Sequence, residues 1–229
     1  MNSTYYKLSP DQIIDDISHS DRSKKIKILG KEYFIYPSVY PSDRFRTTNF
    51  LLKNIKPLVE NATVCDMGCG MGIVGLYALE KGAKKVVQAD INAFAVSNAK
   101  ANKDLYEHSD QKLEIYQSNC FDGIPLQTFD VIIFNIPFHC EPHEIKSTLD
   151  YAFHDPDFQS TKRFLFQAQD FSHSNTKIII AFSNKGDTQV LEGIFSKLGY
   201  KWRLWKTTNT DQTYDNRLYL LESPFLEIK

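Results

Sequence analysis

The sequence predicts an α/β fold, doubly wound around a mostly parallel sheet, on three observations. From Thr63 onward short apolar runs alternate with segments of helical spacing, which is how a parallel sheet covered by helices on both faces reads. The apolar run Thr63 to Met67 passes directly into a glycine-rich loop that opens a helix. The chain has 229 residues, 42% apolar and 24% charged, enough for one sizeable core and typical of a globular protein.

The elements follow in order. Ser9-Pro10-Asp11-Gln12 combines a Ser cap, a Pro at the first helical position and a Gln three residues after the cap, so a short helix runs to about Ser18. Lys25-Ile26-Lys27-Ile28, the turn Leu29-Gly30-Lys31 and the return Glu32 to Tyr36 predict a hairpin. Tyr36-Pro37-Ser38 and Tyr40-Pro41-Ser42 break regular structure, and a helix is expected from Asp43 to Asn54. Thr63 to Met67 is a strand. Ile73, Leu76, Tyr77 and Glu80 fall at helical spacing, and Lys85 to Ala89 is the next strand. Asn92 caps a helix whose Ala93, Val96 and Ala99 share one face. Leu113 to Tyr116 and Asp130 to Phe134 are strands, Thr161 to Phe171 a helix, and Lys177 to Phe182 a buried strand. Asp187 to Leu198 is a helix ended by Gly199, and Trp202 to Trp205 with Arg217 to Leu221 form a final strand pair.

Composition excludes several function classes. With 27 basic and 28 acidic residues the net charge is −1, so no general nucleic-acid footprint exists. The longest apolar runs, such as Ile178 to Phe182, are far too short to span a bilayer. Met1 to Leu8 is polar and aromatic without a signal-peptide pattern, so a cytoplasmic location is expected. Cys65, Cys69, Cys120 and Cys140 form no Cys-x-x-Cys pair, and reduced thiols are expected.

The most informative stretch is Asp66-Met67-Gly68-Cys69-Gly70-Met71-Gly72, three alternating glycines behind an acid at a strand end. Glycine permits positive φ and lets a ligand approach the backbone. Gly70-Met71-Gly72-Ile73-Val74-Gly75 also matches the Gly-x-Gly-x-x-Gly dinucleotide fingerprint, with Asp90 where a ribose-binding acid would lie. Electrostatics separates the two readings. A pyrophosphate favours bare amides at a helix start, and Asp66 would repel it. S-adenosylmethionine carries a sulfonium and an ammonium, which a carboxylate attracts. The stretch resembles the first motif of the class I S-adenosylmethionine-dependent methyltransferases, over about residues 60–222. The resemblance implies a seven-stranded Rossmann-like sheet with a final antiparallel strand, residues 61–229 forming that domain and 1–60 an N-terminal extension. It assigns Asp66, Gly68, Cys69, Gly70 and Gly72 to the cofactor, Asp90 to both ribose hydroxyls, Ile91 to the adenine ring, and Asn119 with Cys120 to the adenine edge.

The strand Asp130 to Phe134 ends in Asn135-Ile136-Pro137-Phe138. This segment resembles the Asn-Pro-Pro-Tyr/Phe motif of methyltransferases that modify planar nitrogens, including protein-glutamine amides and exocyclic amines of nucleobases. Ile136 stands in place of the usual proline and is still biased to extended geometry by Pro137. A planar amide or aryl amine is a poor nucleophile because its lone pair is delocalised. The resemblance makes the Asn135 side-chain oxygen and the Ile136 carbonyl acceptors for its two N–H groups, with Phe138 stacked on the plane and Asn135 also beside the cofactor. Catalysis is then mostly positioning and electrostatics.

His139, Glu141, His143 and Glu144 follow, but Pro142 interrupts a zincin-like helix and no Pro-Cys-x-x-Cys partner follows, so no metal is expected. His139 is placed in the acceptor pocket. Residues 1–60 hold 10 basic and 7 acidic residues, a net +3 against −4 in the remainder, too little to indicate RNA binding. The resemblance places Tyr40, Arg44, Thr47 and Thr48 at the substrate opening; a solvated helix face is the alternative. The implied activity is transfer of a methyl group from S-adenosylmethionine, leaving S-adenosylhomocysteine, to a nitrogen of a protein, an RNA base or a small molecule. Oxygen or carbon methylation, a nicotinamide-binding protein and a non-catalytic cofactor-binding subunit are the alternatives. The similarity is to the small-domain branch, which includes release-factor glutamine and ribosomal RNA guanine methyltransferases. Their N-terminal substrate domains are usually larger than the 60 residues available here.

Overall fold

The structure is a computed structural model and describes residues 8–19, 23–106, 112–208 and 215–224. Helix α1 (Pro10–Ser18) starts with a complete capping box: the Gln12 amide donates to the Ser9 hydroxyl, and the Gln12 side chain accepts from the Ser9 amide. Strands β1 (Lys24–Ile28) and β2 (Lys31–Ile35) form the expected hairpin, with Leu29 and Gly30 both at positive φ in its two-residue turn.

Then come α2 (Arg46–Val59), β3 (Thr63–Met67), α3 (Ile73–Glu80), β4 (Lys85–Asp90), α4 (Ala93–Lys103), β5 (Leu113–Gln117) and β6 (Phe129–Asn135). After α5 (Gln159–Ala168) the chain completes β7 (Ser172–Ser183), α6 (Thr188–Lys197), β8 (Lys201–Thr207) and β9 (Asn216–Glu222). The seven-stranded sheet has the order β5-β4-β3-β6-β7-β9-β8, with β9 antiparallel to both neighbours and the other pairings parallel. The order reverses between β3 and β6, so a crevice opens beyond their carboxyl ends. Among the described residues no helix is long and apolar enough to cross a membrane.

Alternate residues of each central strand feed two cores. Val64, Val131, Ile133 and Ile179 face a cluster built with α2, α3 and the hairpin. Cys65, Ile132, Ile178 and Ile180 face one built with α5 and α6. A third cluster joins Ile13 and Ile17 of α1 to Leu149 and Phe153 of the segment between β6 and α5, with Tyr40 and Phe45 packed against it.

Two boundaries and one buried face differ most from the sequence expectation. The second helix runs from Arg46 to Val59 rather than Asp43 to Asn54. Pro57 lies on its exposed face in the last turn, where burial of Ile55 and Val59 offsets the lost hydrogen bond. Strand β7 starts five residues early because Ser172 already pairs with Phe129; His173 to Thr176 then form an irregularity before pairing resumes between Val131 and Lys177. In α4, Ala93 is exposed and the buried face instead includes Asn98 and Asn102, both at 0% exposure. Those carboxamides dock the hairpin. Asn102 Oδ1 accepts from the Phe34 amide at 2.7 Å and Asn98 Oδ1 from the Tyr36 amide at 2.8 Å, while both side chains donate to the Phe34 carbonyl. They stand in for a neighbouring strand along β2, pairing the Phe34 amide and carbonyl and the Tyr36 amide.

Candidate active site

The carboxyl ends of β3, β4 and β6 converge on one large cavity. At β3 the chain turns through Gly68 (φ +62), Gly70 (φ +54) and Gly72 (φ +84). A Cβ on Gly68 would lie 2.6 Å from the Phe134 ring, so the loop passes too close to β6 for any side chain. A Cβ on Gly70 would meet nothing within 4 Å. Gly68, Cys69 and Gly70 line the cavity. Gly72 does not: it caps α3, where a Cβ would sit 3.0 Å from that of Ala99, so its smallness serves helix packing.

Two acids bracket the loop. Asp66 Oδ2 accepts from the Gly75 amide at 3.0 Å and from Gln88 Nε2 at 2.8 Å, and Gln88 also donates to the Gly72 carbonyl. Asp66 thus braces the start of α3 while facing the cavity. Burial pushes its carboxyl up to about 7; the two donated bonds oppose the rise and the Asp90 charge adds to it. Asp90 Oδ2 accepts from the Gly70 amide at 2.8 Å and Oδ1 from the Asn92 amide at 2.9 Å, which fixes the carboxylate at the end of β4. Burial raises this carboxyl too, against those backbone bonds. Ile91, Asn119 and Cys120 line the same region. Cys120 adopts a left-handed φ of +52, and burial pushes its thiol up to about 12, which favours the protonated form at neutral pH.

At the end of β6, Asn135 is in register with Ala181 of β7, and the Ile136 amide donates to the Ala181 carbonyl at 3.1 Å. Ile136 and Pro137 are buried. Asn135, Ile136, Pro137, Phe138 and His139 all line the cavity. Among the described residues the Asn135 carboxamide has no hydrogen-bond partner, so its oxygen is available to a ligand. Gly186 seats this segment: a Cβ there would lie 2.5 Å from the Phe138 carbonyl oxygen. The His139 carbonyl accepts from the Asp155 amide, and burial lowers the His139 imidazole pKa, which keeps the ring neutral at neutral pH.

The roof is the third apolar cluster, where Tyr40 stacks on Phe45 at 4.9 Å and packs against Phe153 at 5.4 Å. Tyr40, Thr47 and Thr48 line the cavity as the sequence suggested. Arg44 does not; its guanidinium reaches Asp16 on α1 at 3.1 Å. Its wall also includes Pro10, Ile13, Arg46, Tyr151 and Lys185, none of which the sequence reading singled out for the site. Lys185 follows the carboxyl end of a strand, the usual place for ligands in such sheets, and that position was its signal. Pro10 and Ile13 had none, because their approach depends on long-range packing.

The model of the methyltransferase small domain matches residues 34–199, more than half of the chain. This chain belongs to the methyltransferase small domain family. The match takes in the last residues of the hairpin, all of α2 and the sheet as far as α6. A protein of Methanocaldococcus jannaschii, named as a candidate protein N5-glutamine methyltransferase, is 35% identical over 130 residues, 56% of this chain and 62% of its own. Ribosomal RNA large subunit methyltransferase G of Aliivibrio salmonicida is 26% identical over 133 residues, 57% of this chain and 34% of its own. The chain therefore spans less than two thirds of these curated relatives. Among solved structures, the 16S rRNA N2 G1207 methyltransferase of T. thermophilus, in complex with AdoMet and guanosine, aligns with a TM-score of 0.62 at 20% identity. That alignment covers 88% of this chain and 50% of the other. A methyltransferase from Pyrococcus furiosus aligns at 0.61 and 17%, covering 86% and 91%. Both show the shared fold.

Proposed function

We propose that the chain is an S-adenosylmethionine-dependent methyltransferase acting on a planar amide or amino nitrogen of a protein, a nucleobase or a small molecule, with S-adenosylhomocysteine as product. One observation carries the reading. Asn135 to Phe138 opens onto the same cavity as the glycine loop, Asp66 and Asp90, with the Asn135 carboxamide unpartnered by any described residue. The residues fit the cofactor: Gly70 leaves open space where a side chain would stand, and the half-buried Asp90 carboxylate, with buried Asp66 behind it, offers negative charge to a cation. Names of relatives support it, since they include glutamine and ribosomal RNA methyltransferases.

In this reading Gly68 and Gly70 let the cofactor approach the backbone and Asp90 accepts from the ribose hydroxyls. Ile91, Asn119 and Cys120 bound the adenine. The cofactor supplies an electrophilic methyl group on sulfur. The Asn135 oxygen and the Ile136 carbonyl accept from the acceptor's two N–H groups, orient the lone pair and favour a pyramidal nitrogen. Phe138 stacks on the acceptor plane, and the nitrogen gives up one proton as the new N–C bond forms. No base is needed before attack. The N-terminal extension covers the acceptor opening through α1, Tyr40 and Thr48, and the setting is cytoplasmic.

Methylation of carbon or oxygen is the second reading, favoured by similarity to tRNA (uracil(54)-C(5))-methyltransferase of Pyrococcus furiosus, 28% identical over 144 residues, 59% of this chain and 33% of its own. It would need a base such as His139 or His143. The test is transfer of labelled methyl from the cofactor into a lysate fractionated into RNA, protein and metabolites. Label enters one fraction with wild type and is lost with Asn135→Ala, whose S-adenosylhomocysteine binding stays intact. Full activity of Asn135→Ala and its loss in His139→Ala overturn nitrogen as the target.

A further inference from the structure

One cluster of side chains outside the glycine loop and the Asn135 segment has chemistry that neither uses. Asp11 lies in the first turn of α1, His143 after β6, and His154 beyond the Leu149–Phe153 turn. Their ligand atoms all lie within 4.8 Å of one another. His154 is 7% exposed, and its Nε2 is buried without a hydrogen-bond partner among the described residues. That is a costly state for an imidazole nitrogen unless something else binds it. Asp11 Oδ1 lies 3.8 Å from it, and His143 Nε2 lies 4.0 Å from the same oxygen. Both separations are too long for hydrogen bonds. The two imidazoles stack face to face at 3.6 Å with 4° between their planes, which brings two nitrogens of the same kind to one carboxylate.

We propose that Asp11, His143 and His154 form a site for one transition-metal ion of the Zn²⁺ class, which fastens α1 to the segment between β6 and α5. Two imidazoles and one carboxylate suit Zn²⁺ or Co²⁺ rather than Mg²⁺ or Ca²⁺, whose sites are built from oxygen. Bonds of about 2.0–2.1 Å in a tetrahedron place neighbouring ligand atoms about 3.3–3.4 Å apart. The observed 3.8 and 4.0 Å therefore need to close by about half an ångström. The mobile partners are at hand, since the Asp11 side chain is 73% exposed and His143 is half-buried, while His154 stays fixed. Loading tilts His143 out of the stack so that both nitrogens converge on the ion, and water fills the fourth position from the solvent side. Pro10 and Ile13 beside Asp11, and Phe153 beside His154, line the large cavity. An ion here therefore ties together two walls of the opening. The inference rests on these three side chains alone and holds whatever the acceptor is.

The full chain, stripped with a chelator and desalted, is titrated with Zn²⁺ by calorimetry and with Co²⁺ by visible absorption. One ion per chain, a tetrahedral Co²⁺ band without thiolate charge transfer, and a rise in melting temperature with Zn²⁺ are expected. Asp11→Asn and His143→Ala weaken binding by about tenfold or more and leave the metal-free melting temperature unchanged. His154→Ala abolishes binding. Absence of stoichiometric binding, equal affinity in the three variants, or a thiolate band that moves the ion to the cysteines overturns the proposal.

Discussion

Replacing Asp66 by Asn separates what this carboxylate does for folding from what it does for a ligand. In the folded protein burial pushes its carboxyl from 3.8 up to about 7. Below pH 4 the carboxyl is protonated in both folded and unfolded chains. Between pH 4 and 7 the unfolded chain ionises while the folded one does not, so wild type loses stability as pH rises. The loss is complete once pH passes the folded value. The span from 3.8 to about 7, at about 1.36 kcal/mol per unit, makes that loss about 4 kcal/mol. Asn keeps an oxygen that accepts from the Gly75 amide and Gln88 Nε2 but cannot ionise. The stability of Asp66→Asn minus that of wild type should therefore be level in acid, climb by about 4 kcal/mol between pH 4 and 7, and level off above. Urea unfolding of both proteins at four pH values across that range measures the difference, in which titrating groups not coupled to Asp66 cancel. A flat difference, or one that falls with pH, refutes the reasoning. The same substitution should weaken binding of the cationic cofactor above pH 7, so stability and affinity move in opposite directions.

Further predictions follow from other contacts. Asp90→Ala should weaken S-adenosylhomocysteine binding by about 30- to 100-fold in calorimetry, the worth of two hydrogen bonds to a charged group partly recovered by water. Gly68→Ala should lower stability by about 2–4 kcal/mol, since it combines a left-handed φ with a 2.6 Å approach to Phe134, and the drop should appear in thermal unfolding. Asn102→Ala leaves the Phe34 amide and the Phe34 and Met71 carbonyls without that partner, so amide exchange should quicken across β2 far more than in β6.

What was legible in the sequence had a local cause. The central strands could be read because Val131, Ile132 and Ile133 are buried on alternate faces between two helical layers, leaving a continuous apolar run. The glycine loop could be read because positive φ at three alternating positions strongly favours glycine, a preference local to the backbone. Spacing could not tell that Gly72 is kept small by Ala99 rather than by the cavity. Asn98 and Asn102 look like surface residues of a helix until β2, more than sixty positions earlier, lies against them. The resemblance places Arg44 at the opening, but its Asp16 partner on α1 holds it elsewhere. The roof follows the same rule: Ile13 reaches the opening through packing on Leu149 and Phe153, which no local pattern encodes.

The most direct test of the cofactor assignment is calorimetric titration of the chain with S-adenosylhomocysteine and, separately, with NAD. The account predicts one S-adenosylhomocysteine per chain, strongly weakened in Asp90→Ala, and no heat with NAD. Binding of NAD without S-adenosylhomocysteine would contradict it.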